Sequence, residues 1–125
     1  MEQAILEGFE KFTKKGRSFK PRVTIRARGQ IGFNNGSVAK FNLDKFDYIV
    51  LYYSKEKNQI AMLLTSNKNE DGAIKLIKRP GNYFFPGKGF LDFYGLSYDK
   101  SKSYDAVGAD GNVIIINLGK QEASE

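Results

Sequence analysis

Apolar and polar positions alternate with two different periods along this chain, and the switches between them mark out its elements. Residues 2–15 carry Ala4, Ile5, Phe9 and Phe12 at helical spacing, with Glu2, Glu7 and Glu10 early and Lys11, Lys14 and Lys15 late. That pattern predicts a short amphipathic helix whose charges suit the helix dipole, stopped at Gly16. Beyond Pro21 the period becomes two. Val23, Ile25 and Ala27 alternate with Thr24, Arg26 and Arg28, so the strand has one apolar face and one carrying arginines. Gly29 interrupts, and Ile31 and Phe33 resume the alternation.

Asn34-Asn35-Gly36-Ser37 is a turn cluster, with Ser37 placed to cap a short helix over 38–41. Tyr48–Tyr53 and Gln59–Thr65 read as strands of a hairpin across Ser54–Asn58, and Asn67–Gly72 as a polar hinge loop. Ile74, Leu76 and Ile77 reopen the apolar pattern, followed by a strand over Tyr83–Phe85 and a turn at Pro86–Gly89. Phe90–Tyr94 predicts a turn or two of helix with Gly95 ending it. Ser103–Val107 and Asn112–Leu118 form a second hairpin around Asp110-Gly111, and 119–125 is a polar tail expected to fray.

The two halves repeat one order of elements. At an offset of 52, Gly29–Asn34 lies over Gly81–Pro86, Ile25 over Ile77, Arg26 over Lys78, Val38 over Phe90 and Ala39 over Leu91. One gap later Leu43 lies over Leu96. Neither half buries its apolar faces alone, but two halves closing on each other do. The expected fold is therefore mainly β: a small pseudo-symmetric β-barrel of two ββαβ-like halves, about 22–66 and 73–118. A short N-terminal helix and basic leader (1–20) precedes it.

Composition removes much chemistry. With no cysteine and no histidine, thiolate metal sites, cysteine nucleophiles and the commonest general base are absent. Asp44, Asp47, Asp99, Asp105 and Asp110 fall in or beside turns, which explains them without a metal. Pro86-Gly87-Lys88-Gly89 lacks the spacing and the hydroxyl residue of a phosphate loop. The reading is a non-enzyme with no cofactor, no metal and no membrane span. The lack of an export signal points to the cytoplasm.

Charge points the other way, toward a partner. The chain carries a net charge of +6, yet residues 11–30 alone hold eight basic residues and no acid, leaving a net −2 elsewhere. One strongly positive region suits a phosphate backbone; a solvated leader with a charged strand edge is the plainer explanation.

The stretch 28–43, with its Gly29-Gln30-Ile31 turn, short helix and Leu43 exit, resembles the AbrB/SpoVT swapped-hairpin family. Asn34 stands where that family usually has proline, Pro86 restores it in the second half, and Phe46 replaces a usual glycine. The resemblance covers 22–65, and more faintly 74–118, as though two family units were fused in one chain. It implies a DNA-binding regulator or antitoxin-like module, with double-stranded DNA and a toxin or second subunit as partners. By position it implies contacts from Arg22, Arg26 and Arg28, with Lys78, Arg79 and Lys88 as second-half counterparts; the basic window adds Lys20 and Arg17 of the leader as candidate contacts. Two other readings stay open. One is an interaction or structural barrel with the N-terminal helix as docking element. The other is a single-strand or RNA binder that stacks bases on Tyr52-Tyr53, Tyr83–Phe85 or Phe93-Tyr94.

Overall fold

The computed structural model describes residues 7–10 and 20–119. The chain runs β1 (Arg22–Ile25), β2 (Gln30–Phe33), α1 (Asn35–Lys40), β3 (Tyr48–Ser54), β4 (Gln59–Thr65), β5 (Ile74–Lys75) and β6 (Ile77–Arg79). It continues through β7 (Asn82–Pro86), α2 (Lys88–Phe93), β8 (Lys102–Asp105), β9 (Val107–Ala109) and β10 (Val113–Asn117). These strands form two five-stranded sheets, sheet I in the order β6-β7-β2-β1-β8 and sheet II in the order β5-β3-β4-β10-β9. Every pairing is antiparallel. Among the described residues no helix is long and apolar enough to cross a membrane.

Alternation within the strands builds the core between the sheets. Val23, Ile25, Ile31, Phe33 and Phe85 point inward from sheet I, and Ile49, Ile60, Met62, Ile114 and Ile116 from sheet II. Leu43 and Leu91, from the helical segments, join the same cluster. Each sheet mixes the two halves of the chain: β2 pairs with β7, β1 with β8, β4 with β10 and β3 with β5. The halves interlock, and neither forms a sheet of its own.

The expected closed barrel is not found. At two corners the chain bends from one sheet to the other: at Leu76, between β5 and β6, and at Ala106, between β8 and β9. Both corner residues are buried, and their amides bond across the corner, Leu76 to the Asp47 carbonyl and Ala106 to the Pro21 carbonyl. Strands of two and three residues on the sheet II side are too short to carry a ladder around the bend. The result is a sandwich with bent corners. The hairpin expected from Ser103 to Leu118 is therefore split, and only β9 pairs with β10.

Three local expectations change as well. The alternation from Val23 ends at Ile25, because Arg26–Gln30 closes a three-residue hairpin loop in which Gly29 takes φ +88°. The N-cap of α1 is Asn34 rather than Ser37: Asn34 Oδ1 accepts from the Ser37 amide, and Ser37 is buried inside the helix. In the N-terminal stretch, residues 7–10 are exposed and Gly8 takes φ +89°, which interrupts the expected helix there. The remainder of that helix, and the tail from 120, lie outside the described residues. At α2, Gly95 ends the helix as expected, with the Leu96 amide bonding back to Leu91 and the Gly95 amide to Asp92.

Candidate nucleic-acid interface

Sheet register decides which basic side chains share a face. With Val23, Ile25, Ile31 and Phe85 turned inward, the solvent side of sheet I receives Arg22 and Thr24 from β1, and Arg26 just beyond it. The same side receives Gln30 and Gly32 from β2, Asn82 and Phe84 from β7, Arg79 from β6, and Ser103 and Asp105 from β8.

The centre of this face is Phe84. The Arg26 guanidinium lies 5.5 Å from its ring centroid and the Arg79 guanidinium 5.6 Å. Together they leave Phe84 only 7% exposed although it points to solvent. Gly32 makes this arrangement possible: any β carbon there would collide with the Arg26 guanidinium. Arg26 also donates to Asn82 Oδ1 at 2.8 Å and, more weakly, to Gln30 Oε1 at 3.4 Å. A guanidinium over a ring and tied by neutral amides, as Arg26 is, loses rotamer freedom, which prepares it to meet an anion. Farther along β1, Arg22 lies opposite Asp105, and Thr24 shares a 2.8 Å hydroxyl bond with Ser103.

The sequence-predicted basic residues divide into distinct groups. Arg22, Arg26 and Arg79 share the outer face of sheet I. Arg28 is exposed at the tip of the β1–β2 loop, displaced from the strand by Gly29. Lys20 pairs with Asp105 at 3.2 Å. Lys78 points away from Arg79, its ammonium 3.0 Å from the Asp44 carbonyl and 3.4 Å from Asp47. Lys88 pairs with Asp92 at 2.9 Å inside α2. Arg17 lies outside the described residues. The sequence offered Phe84 only as a base-stacking candidate within Tyr83–Phe85, and Asn82, Gln30 and Gly32 were missed as parts of this face; the one available signal for them was an unexplained glycine at Gly32, in the middle of an alternating strand.

The acids form small networks around the rim. Tyr83 donates its hydroxyl to Asp44, and that carboxylate holds the phenol above its usual pKa. Lys88 and then Tyr98 hold the Asp92 carboxyl below its usual value, and Asp92 in turn raises the Lys88 ammonium. The Ser97 hydroxyl lowers Asp99. Among the described residues no three histidine, cysteine, aspartate or glutamate side chains cluster as a metal site would require. An open, mainly polar cleft of about 320 Å³ lies elsewhere, lined by Lys40, Asn42, Asp110 and Asn112 among others.

No protein-family model, no curated protein and no solved structure matches this chain.

Proposed function

We propose that this protein is a non-enzymatic nucleic-acid-binding module whose sheet I face contacts the phosphates of duplex DNA. The observation that carries this reading is the convergence of Arg26 and Arg79, 53 residues apart in sequence, on the single ring of Phe84. The Arg26 guanidinium, held by two amides, and the exposed Arg79 guanidinium over the same ring, with Arg22 four residues before Arg26 and opposite Asp105, suit a phosphodiester backbone. Neutral amides at Gln30 and Asn82 flank them and place no negative charge beside a phosphate.

The interlocked pairing supports a further part of the reading: the chain is two fused, pseudo-symmetric units of the swapped-hairpin kind. In that arrangement Arg26 and Arg79 are the contributions of the two units to one surface. The regulator or antitoxin-like role is the one this resemblance brings with it.

Fluorescence anisotropy with random duplex, single-stranded DNA and RNA, each at low and moderate salt, tests the proposal. Duplex binding that weakens steeply with salt is the expected result. A preference for single strands transfers the reading to base stacking, and absence of binding to all three removes it.

A further inference from the structure

The outer face of sheet II has the opposite character, and nothing in the reading above uses it. Register places two continuous cross-strand rows there. One is Tyr52, Ala61, Ile115 and Val107; the other is Val50, Leu63, Val113 and Ala109. Ser54, Gln59 and Asn117 border the first row, and Tyr48 and Thr65 the second. No charged side chain points outward from these four strands, although 27% of the chain is charged. Among the described residues the loop after β4 shields Val50, with Gly72 packed beside it. The ends of the first row stay open, Tyr52 at 54% and Val107 at 60% exposure. Solvent-facing sheet sides normally alternate to polar residues, so a face built of aliphatic rows implies something that covers it.

We propose that its occupant is a second copy of this chain, in a face-to-face homodimer. Electrostatics is the first argument. Two chains of net charge +6 repel, and these four strands let them meet with the nearest outward charge, the exposed Lys75 of β5 opposite Tyr48, left at the border. Shape is the second. The bulky Tyr52 and the slender Val107 stand at opposite ends of one row. A twofold axis between β4 and β10 sets Tyr52 of each copy over Val107 of the other, so the face is complementary to itself. Area is the third. Four strands about 4.8 Å apart, of seven, seven, five and three residues at about 3.4 Å per residue, make a flat patch of roughly 360 Å². That is under half the ~800 Å² per partner of a standard interface, so the dimer is of the weak, concentration-dependent class. Edge-on association is a poor competitor, because the edge strands of sheet II, β5 and β9, have only two and three residues. The proposal stands independently of the nucleic-acid reading.

Sedimentation equilibrium of the full chain across a micromolar concentration series tests it, free of nucleic acid. The expected result is a concentration-dependent mass approaching twice 14.1 kDa. Association is expected to hold or strengthen as salt screens the like charges. Ile115→Lys and Tyr52→Lys are each expected to return the chain to monomer with unchanged circular dichroism. The exposed Tyr52 site carries the test if the Ile115 variant does not fold. A monomer at every concentration overturns the proposal, as does a dimer that survives both substitutions. A monomer whose Tyr52 resists oxidative labelling also overturns it, and assigns the face to the N-terminal segment.

Discussion

The two outer faces of this sandwich are built on sheets of the same size and strand direction, yet they hold opposite chemistry. On sheet I the outward positions carry Arg22, Arg26 and Arg79, with Thr24, Gln30, Asn82 and Ser103 between them and Asp105 opposite Arg22. On sheet II the corresponding positions of β3, β4, β10 and β9 carry aliphatic and aromatic side chains bordered by Ser54, Gln59, Thr65 and Asn117, and no charge. The inward positions of both sheets are interchangeable aliphatic and aromatic residues that share one core. Since an antiparallel sheet needs only one buried face to be stable, the fold does not dictate either outer set. On the proposed reading the contrast lies in function, with one face for an anion and the other for an apolar surface.

Removing the shared core breaks both faces together. Phe85, which has no exposure, supports sheet I from below, and Phe85→Ala is expected to cost about 3–5 kcal/mol in chemical denaturation. Duplex binding and self-association should then disappear in parallel, and survival of either alone would separate that face from the common scaffold. The double substitution Arg26→Ala with Arg79→Ala acts on one face only. It is expected to weaken duplex binding on the order of tenfold or more at low salt, with melting temperature and dimer mass unchanged.

Two glycines sharpen the contrast on a finer scale. Gly29 combines φ +88° with a β-carbon position 2.8 Å from Lys88 Cβ. Gly29→Ala is therefore expected to lose more than about 1 kcal/mol of stability by thermal melting. At Gly32 the obstacle is the movable end of Arg26. Gly32→Ala should keep the stability and the net charge but push the guanidinium off Phe84, giving a few-fold loss of duplex affinity. Equal affinity in that variant would mean that charge alone matters and its placement does not.

The smallest effect concerns pH. Asp92 is held below its ordinary 3.8, so its ion pair contributes above that value and is lost as pH falls through the lower folded one. Lys88 is held above 10.5, so the same pair persists at neutral pH and is lost only as pH rises through the higher folded value. With no histidine in the chain, melting temperature is expected to stay flat from about pH 6 to 8. A titration of stability inside that range would point to an interaction outside this account.

Much of the fold was legible in the sequence because its signals are local. The β3–β4 hairpin, the glycine loop after β1 and the Gly95 helix stop each rest on neighbouring residues. The sheet-switching corners were not legible, since a bend at one buried residue, Leu76 or Ala106, leaves the surrounding pattern unbroken. The basic cluster was legible by composition but not by direction. Lys78 and Arg79 are adjacent, and strand geometry sends one toward Asp44 and Asp47 and the other toward Phe84. The apolar outer face of sheet II was also present in the sequence, in the near-continuous apolar runs 48–53 and 113–116. A strand apolar on both sides has two surfaces to cover, and the core accounts for only one.

The central claim, that sheet I meets phosphates through its paired arginines, is tested most directly by the salt dependence of duplex binding. Log affinity would be measured against log salt for the parent chain and for the Arg26→Ala, Arg79→Ala double variant. The account predicts a slope shallower by roughly two in the variant, about 0.9 for each lost phosphate contact. An unchanged slope and affinity would contradict it and would move any nucleic-acid contact away from this face.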